Sequence, residues 1–266
     1  MKKIKVCIAG VTGWIGRALV ASVLKSSDLA LVGAVSRKNS GKTLGEVFGM
    51  NDFPLRISES VDKALDSKTD VLVDYTSPYI VKNNIYSAIK KGVNVVVGTS
   101  GLSDQDYDEI DKLAKKENVG VFAAGNFAIS AALLNHFAIV AAKYMKSWEV
   151  IDYASDAKID APSGTAYEIA HLLSTVGNPA VKVKDDKVKG QRESRGFNLN
   201  GTHVHSVRLP GYVIGVDVIF GGKDEKLTLK FEAGNTPDTY VEGTLLAIRK
   251  VIGMVGLTRG LDRLLF

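Results

Sequence analysis

The sequence predicts an α/β protein with two domains, and three observations support this fold class. Its 266 residues correspond to about 1.8 domains at roughly 150 residues per domain. Up to about residue 125, apolar runs alternate with stretches of helical periodicity, which is typical of a parallel sheet covered on both faces. Beyond Asn126 this alternation stops, and consecutive strands predict an antiparallel or mixed sheet. We therefore expect a doubly covered α/β domain and an α+β domain.

The individual elements follow from hydrophobic periodicity. In the first part, we predict strands at residues 4–9, 29–35, 71–75, 93–97 and 119–123, and helices at residues 17–25, 80–91 and 104–117. In the second part, we predict helices at residues 129–144, 165–174 and 240–253, and strands at residues 149–154, 202–209, 212–220 and 227–232. Residues 178–202 are polar and charged, and we interpret them as a solvated loop, with a flap near an anionic ligand as the alternative.

The composition excludes several classes of protein. Hydrophobic residues make up 45% and charged residues 24%, which excludes a disordered chain, a fibrous repeat and a small disulfide-linked scaffold. The net charge of +5 suits small anionic ligands at least as well as nucleic acid, and the absence of a basic and aromatic stripe argues against nucleic-acid binding. The single Cys7 lies in an apolar run and cannot form an internal disulfide, which fits a cytoplasmic location. No apolar stretch predicts a membrane span or a signal peptide.

A glycine-rich loop follows the first predicted strand. Gly10, Gly13 and Gly16 have the spacing G-x-x-G-x-x-G, with Thr12 where the dinucleotide fingerprint has its second glycine. Between a strand and a helix, such a loop allows the backbone to approach a pyrophosphate, which then faces the free N–H groups of the helix. We predict a Rossmann-type dinucleotide-binding domain, with an ordinary glycine-rich turn as the alternative.

The end of the second predicted strand reads Val35-Ser36-Arg37-Lys38, without the carboxylate that usually contacts the ribose of NAD. Two cations and a hydroxyl suit a 2′-phosphate instead. The sequence therefore predicts NADPH over NADH, although NADH is possible. The alternative is that both basic residues are simply exposed on a loop.

A third motif precedes the predicted helix at residues 165–174. Ser163, Gly164 and Thr165 would present small polar groups and backbone N–H groups at the start of that helix, which suits a carboxylate. Lys158, five residues before Ser163, could add a positive charge. Simple N-capping after Pro162 is the alternative interpretation.

Taken together, these motifs resemble a known family. The segments concerned are Gly10 to Gly16, Gly98-Thr-Ser-Gly101, Gly125-Asn-Phe127, Lys158-x-Asp-Ala-Pro-Ser-Gly-Thr165 and His205-Ser-Val-Arg-Leu-Pro-Gly211. Over the whole chain, their order is similar to that in the 4-hydroxy-tetrahydrodipicolinate reductases of the diaminopimelate–lysine pathway. The resemblance implies a dinucleotide-binding domain at residues 1–126 and 240–266, and a substrate-binding and oligomerisation domain at residues 127–239. It also implies NAD(P)H-dependent reduction of a small cyclic imine dicarboxylate, and a homotetramer assembled through the sheets of the second domain.

The resemblance also assigns roles to individual residues, and it implies no metal. The residues expected to bind the cofactor are Gly10, Thr12, Gly13, Trp14, Ile15, Arg37, Lys38, Thr76, Gly98, Thr99, Ser100, Gly125, Asn126 and Phe127. Lys158 takes the place of the catalytic lysine. The residues expected to bind the substrate are Ser155, Lys158, Ser163, Gly164 and Thr165.

The chain departs from the family pattern just before Lys158. Members usually read Glu-x-His-His-x-x-Lys, whereas this sequence has Ala154 at the position of the proton-donating histidine and Ser155 at the carboxylate-binding one. The Arg-x-Ser-Phe signature of many members is also absent at residues 231–237. Water or Lys158 would then supply the proton. Three readings stay open: the family reaction with altered proton donation, a related reductase for another imine or oxo-acid, and a dinucleotide-binding protein with little turnover.

The four histidines offer poor substitutes for that donor. His136 and His171 fall in predicted helices, where packing or solvent exposure explains them. His203 and His205 are two apart on one predicted strand and therefore share a face, and no third metal ligand is apparent beside them.

Overall fold

A computed structural model describes residues 2–50, 53–65 and 68–266 of the chain. The strands are β1 (Ile4–Ala9), β2 (Leu29–Val35), β3 (Val71–Asp74), β4 (Asn94–Val97), β5 (Gly120–Ala123), β6 (Ser147–Ala154), β7 (Phe197–Leu199), β8 (Thr202–Arg208), β9 (Ile214–Gly221), β10 (Lys226–Ala233) and β11 (Gly256–Arg259). The α-helices are α1 (Trp14–Lys25), α2 (Leu44–Phe48), α3 (Val61–Ala64), α4 (Val81–Lys90), α5 (Asp104–Lys116), α6 (Ile129–Tyr144), α7 (Gly164–Val176), α8 (Asp238–Val251) and α9 (Asp262–Leu265). None of the helices in the described ranges is long and apolar enough to cross a bilayer.

The chain forms two compact units, of which the first contains both ends of the sequence. It comprises Met1–Ile129 and Pro237–Phe266. Its sheet has six strands in the order β11-β5-β4-β3-β1-β2, and each neighbouring pair is parallel. Strands β3 and β5 are buried at every position, as expected for a sheet covered on both faces. The predicted α/β fold class is thus confirmed.

The strand order of this first sheet indicates where a ligand crevice lies. The chain leaves β1 and runs to β2 on one side, whereas β3 pairs with β1 on the other side. In open α/β sheets, ligands bind beyond the carboxyl ends of the strands at such a reversal. The loops after β1, β2 and β3 therefore meet at the edge where the glycine-rich loop lies.

The second unit, Ser130–Thr236, is built on a five-stranded mixed sheet. The order is β10-β9-β6-β8-β7, in which β6 and β8 are parallel and the other pairs are antiparallel. Burial alternates along β6: Trp148, Val150, Asp152 and Ala154 are buried, and the residues between them are partly exposed. The indole of Trp148 packs near Phe220 and donates a hydrogen bond to Thr202 Oγ1 at 2.9 Å.

Two boundaries differ from the sequence prediction. We expected the second domain to span residues 127–239, but residues 127–129 and 237–239 belong to the first unit. The reason is packing: Phe127 is buried beside Phe122, and α8 begins at Asp238 rather than at residue 240.

The segment 178–202 is not simply a loop. It contains 3₁₀ turns at Asp185–Lys187 and Arg192–Arg195, followed by β7. The Arg195 guanidinium pairs with Glu149 of β6, and His203 Nδ1 lies 2.7 Å from the Arg195 carbonyl oxygen. These contacts attach the polar segment to the sheet. The prediction missed the pairing with Glu149 because its two residues are 46 positions apart in the chain.

Helix α8, which belongs to the first unit, packs closely against the chain that follows β5 at Gly243. A Cβ atom added to Gly243 would lie 2.0 Å from the carbonyl oxygen of Phe127 and 2.8 Å from Leu261 Cδ2. The helix therefore approaches the chain after β5 more closely than any residue with a side chain allows.

We expect Gly243→Ala to destabilise the protein although alanine is the better helix former. The helical gain is about 1 kcal/mol, whereas overpacking against a backbone carbonyl costs about 1–3 kcal/mol or more. Urea unfolding should show a net loss of stability. The control is Gly253→Ala, where the nearest atom to the new Cβ is 3.8 Å away and the change should be within about 0.5 kcal/mol. A Gly243→Ala variant as stable as the wild type would contradict this packing.

Candidate active site

The glycine-rich loop of the first unit forms one wall of a cleft of about 790 Å³. Gly10 has φ +81°, and an added Cβ would lie 2.0 Å from the carbonyl oxygen of Tyr75. Gly13 is the N-cap of α1 and has no side chain to cap the helix. The first N–H groups of α1 and the positive end of its dipole are therefore available to an anion. A glycine turn that lines the cleft and leads into a helix start without a side-chain cap fits the pyrophosphate of a dinucleotide.

The cleft has a basic end at the carboxyl end of β2. Arg37 and Lys38 line it, as the sequence suggested. Thr12 Oγ1 lies 2.9 Å from Ser36 Oγ, which joins the glycine-rich loop to this end. Sequence reasoning missed Glu59, which also lines the cleft because a bridge between Val35 and Ser58 brings its segment alongside β2.

Glu59 does not act as an unpaired negative charge in this cleft. Its carboxylate lies 2.6 Å from Lys63 Nζ, and this hydrogen bond lowers the pKa of Glu59. The basic end of the cleft therefore retains its positive character.

A buried carboxylate organises the next two loops of the first unit. Asp74, at the end of β3, is fully buried and accepts hydrogen bonds from four donors. The donors are Thr76 N at 3.0 Å, Thr76 Oγ1 at 2.7 Å, Thr99 Oγ1 at 2.7 Å and Asn84 Nδ2 at 2.8 Å. Thr76 and Thr99 were predicted as cofactor residues, whereas Asp74 and Asn84 were not. The available signal was a charged residue ending an otherwise apolar strand.

A smaller cleft of about 360 Å³ lies beside this network. Its lining includes the predicted residues Gly13, Trp14, Ile15, Thr76, Gly98, Thr99 and Ser100. A Cβ on Gly98 would lie 2.1 Å from the ring of Tyr75, so only glycine fits there. Tyr75 is held by a 2.7 Å hydrogen bond to Thr244 Oγ1, and burial raises the pKa of its hydroxyl. The half-exposed indole of Trp14 meets Tyr240 edge to face at 5.9 Å.

The predicted cofactor residues Gly125, Asn126 and Phe127 lie apart from the linings of the two clefts. None of the three residues lines either cleft. The Phe127 side chain is 2% exposed and packs edge to face against Tyr75 and Phe122, and Asn126 Oδ1 accepts a hydrogen bond from Ala128 N at 2.8 Å. The Phe127 side chain is thus part of the apolar core, and a contact of this segment with the cofactor stays a prediction.

The second unit presents the start of α7 as its candidate anion site. Gly164 is the first residue of this 13-residue helix, and Thr165 is the second. No atom lies within 4 Å of a Cβ built on Gly164, so this turn is open to approach. The first N–H groups of a helix have no carbonyl acceptor within it, which makes the turn suitable for a carboxylate.

Ser163 has a different role from the one predicted. It is buried, its N–H donates to Asp152 Oδ2 at 2.8 Å, and its hydroxyl donates to Asp152 Oδ1 at 2.6 Å. The hydroxyl oxygen also caps the helix by accepting from Ala166 N at 3.3 Å. Because its only hydroxyl proton faces Asp152, Ser163 holds the turn instead of donating to a ligand.

Lys158 and Ser155 lie on the turn between β6 and α7. Lys158 Nζ is 2.8 Å from Asp160 Oδ1, and this hydrogen bond lowers the pKa of Asp160. Ser155 Oγ donates to Asp156 Oδ1 at 3.2 Å and accepts from Ala157 N at 3.3 Å. Ala154, at the predicted proton-donor position, is fully buried at the end of β6.

The two strand histidines lie on the other face of the second sheet. The register pairs His203 with Glu149 and His205 with Ile151, which alternate with the buried Asp152 along β6. His205 Nε2 lies 2.7 Å from Glu149 Oε2, and His203 Nε2 lies 3.0 Å from Asp185 Oδ1. Neither histidine shares a face with Asp152. In the described part of the chain, no group of three acidic, histidine or cysteine side chains is arranged to hold a metal.

Comparison with known proteins covers the whole chain. The family model described as dihydrodipicolinate reductase, N-terminus, matches residues 4–127, and the model described as dihydrodipicolinate reductase, C-terminus, matches residues 130–265. The 4-hydroxy-tetrahydrodipicolinate reductase of Desulfitobacterium hafniense (strain DSM 10664 / DCB-2) is 39% identical over 267 residues, covering 100% of both chains. The enzyme of the same name from Moorella thermoacetica is 37% identical over 265 residues, covering 98% of both.

Solved structures agree with this assignment. The dipicolinate-bound dihydrodipicolinate reductase from Paenisporosarcina sp. TG-14 superposes with a TM-score of 0.85 at 29% identity, covering 98% of this chain and 99% of that one. GenD2 from gentamicin A biosynthesis, solved in complex with NAD, has a TM-score of 0.65 at 15% identity, covering 99% and 90%, which shows the fold alone. From the two matching family models and the full-length relatives, the chain belongs to the dihydrodipicolinate reductase family.

Proposed function

We propose that the protein reduces 4-hydroxy-tetrahydrodipicolinate to tetrahydrodipicolinate with a nicotinamide cofactor, in diaminopimelate and lysine biosynthesis. The observation that carries this proposal is that one unit has a glycine-rich helix start without a side-chain cap, and that the other has an open, anion-suited helix start that follows Lys158 in the chain. Both belong to a chain that matches the family over its full length. The dipicolinate bound to the Paenisporosarcina relative supports a small dicarboxylate substrate.

In this reaction the 4-hydroxyl group leaves as water, which gives a conjugated C=C–C=N system. A bound reduced nicotinamide would supply a hydride to that system, and a proton is added at the adjacent carbon. Gly10, Gly13 and the start of α1 bind the pyrophosphate, and the cleft beside Gly98 receives the nicotinamide end. The N–H groups of Gly164 and Thr165 bind one substrate carboxylate.

Lys158 supplies the positive charge and the proton. Its Nζ lies 2.8 Å from Asp160 Oδ1, and the ammonium group carries a transferable proton. Ala154 has no titratable group, and Ser155 is neutral. The alternatives are a proton from water and a related imine or oxo-acid substrate, and the following assay separates them.

Purified protein should oxidise NADPH when mixed with freshly generated hydroxy-tetrahydrodipicolinate, and Lys158→Met should lower kcat by about 10²–10⁴ because acid catalysis contributes that much. The affinity for NADPH should be unchanged, and the exposed Lys223→Met is the matched control. Turnover by the wild type that Lys158→Met does not reduce would assign the proton to water. NADPH binding without turnover would contradict the proposed substrate, and a panel of imines and oxo-acids would then be assayed.

The preferred cofactor is NADPH. Arg37 and Lys38 line the cleft at the carboxyl end of β2, and the lining acid, Glu59, is paired with Lys63. A 2′-phosphate would therefore meet two cations at this end.

We expect Arg37→Ala to weaken NADPH binding by about tenfold or more, because a hydrogen bond to a charged group contributes about 1.5–3 kcal/mol. NADH affinity should change by less than about twofold, since NADH lacks the phosphate. The control is the exposed Lys42→Ala, which does not line the cleft. Dissociation constants follow from fluorescence titration. Equal wild-type affinities for NADPH and NADH, both unaffected by Arg37→Ala, would overturn the preference.

For the assembly of the protein, we propose a homotetramer formed through the sheet of the second unit. The face opposite Trp148 carries Ile151, Tyr153, Val207 and Ile219, which are only partly exposed within one chain. On this face Asp217 Oδ1 is buried and has no hydrogen-bond partner among the described residues of the chain. A donor from another subunit would satisfy it. A cytoplasmic location also remains a prediction, supported by the single, buried Cys7, which cannot form a disulfide within the chain.

Sedimentation equilibrium should give the mass of four chains. Ile219→Arg should lower this mass, because it places a charge in the middle of the proposed interface. Val140→Arg changes an exposed apolar residue of α6 and is the control. A wild-type monomer, or an Ile219→Arg variant that keeps the tetramer mass, would refute this interface.

A further inference from the structure

The start of α7 rests on a buried ion pair that the proposed reaction does not use directly. Asp152, on β6, is fully buried, and Arg208, at the end of β8, has a side chain that is 16% exposed. Arg208 Nη2 donates to Asp152 Oδ2 at 2.7 Å. We propose that this pair positions the substrate-carboxylate site: Asp152 orients the first turn of α7, and Arg208 neutralises the carboxylate beneath it. The inference rests on the proposed function of that turn as the carboxylate site.

Asp152 fixes the turn through both donors of one residue. It accepts from the N–H of Ser163 at 2.8 Å and from its hydroxyl at 2.6 Å. Ser206 Oγ adds a weaker contact at 3.2 Å. With Ser163 held in this way, its hydroxyl oxygen caps the helix by accepting from Ala166 N. The orientation of the turn is therefore set from below by Asp152.

Arg208 compensates the negative charge of Asp152. A bare carboxylate under an anion-binding turn would repel a substrate carboxylate, and burial weakens the screening of that repulsion. The guanidinium supplies the opposite charge at hydrogen-bond distance. The titratable groups near it on the adjoining turn are Lys158 and Asp160, which already form an ion pair with each other.

The same guanidinium also holds the turn that carries Lys158. Arg208 Nη2 donates to the backbone carbonyl of Asp160 at 2.7 Å, and Nη1 donates to the carbonyl of Val207 at 3.0 Å. Lysine has a single nitrogen at the end of its chain and cannot reproduce this fork. Arg208 therefore joins the Lys158 turn and the α7 turn, which are the two parts of the proposed carboxylate site.

The test measures the affinity for dipicolinate, with the NADPH affinity as the internal reference, in Arg208→Met, Asp152→Asn and the double variant. We expect Arg208→Met to raise the dissociation constant of dipicolinate by about tenfold or more, because it leaves a buried negative charge below the turn. The KM for the substrate should rise more than kcat falls. The double variant lacks that charge and should bind dipicolinate more tightly than Arg208→Met alone. Arg208→Lys keeps the charge, and its dissociation constant for dipicolinate should lie between those of Arg208→Met and the wild type. It replaces Arg208→Met in the test if that variant does not fold.

The matched control is Arg195→Met, which also removes an arginine paired with a β6 carboxylate, here Glu149 on the other face of the sheet. It should leave the dipicolinate affinity unchanged. A purely structural Asp152–Arg208 pair would lower the melting temperature of the variants while the folded protein bound dipicolinate as the wild type does, and this result would overturn the inference. A wild-type protein that binds NADPH but no dipicolinate would instead overturn the proposed site itself.

Discussion

The cost of burying a carboxylate is the constraint on which both halves of the candidate site depend. An ionised carboxylate in a protein interior is tolerated only when donors or a counter-charge satisfy it. Asp74 in the first unit and Asp152 in the second are both fully buried at or near the ends of their strands. Each accepts hydrogen bonds from residues of the segment that follows its strand, so satisfying the charge also fixes that segment. The loops so fixed carry Thr76 and Thr99 in one unit and Ser163 in the other.

The two carboxylates are satisfied in different ways, and the difference matches the proposed ligands. The donors to Asp74 are a backbone N–H, two hydroxyl groups and a side-chain amide, and none of them carries a charge. Asp152 has a guanidinium beside it, and its charge is balanced. The anion-binding groups of the cofactor cleft lie at the α1 start and at Arg37, on other loops than those Asp74 holds. The start of α7, in contrast, is hydrogen-bonded to Asp152 directly, so an unbalanced charge on Asp152 would weaken anion binding there.

The sequence predicted those parts of the molecule whose signal is local. The runs 4–9, 29–35 and 129–144 have clear periodicity, and the structure has β1, β2 and α6 with these limits. The glycine-rich loop was also recognisable, because its spacing and its place between a strand and a helix are the features that allow a backbone to bind a pyrophosphate. Strand β11 was missed because its residues, Gly256-Leu-Thr-Arg259, form no apolar run and depend on β5 for their hydrogen bonds. The Asp152–Arg208 pair was missed for a similar reason: its partners are 56 residues apart, and only the parallel pairing of β6 with β8 brings them together. The burial of the Phe127 side chain was not predicted either, since a phenylalanine after a turn has the same local pattern in a core and in a cleft.

The discontinuous first unit has a consequence for the order in which the chain acquires structure. Strand β5 is buried at all four positions, and β11 covers its outer edge only after residue 259 has been synthesised. Until then the sheet keeps an open, apolar edge, which is the type of surface that pairs with other chains. The second unit, Ser130–Thr236, is continuous, so all of its strands are available while the first unit still lacks its last strand. Completion of the cofactor-binding sheet during translation therefore depends on the C-terminal segment, and the unfinished chain is exposed to aggregation for the time needed to synthesise the intervening residues.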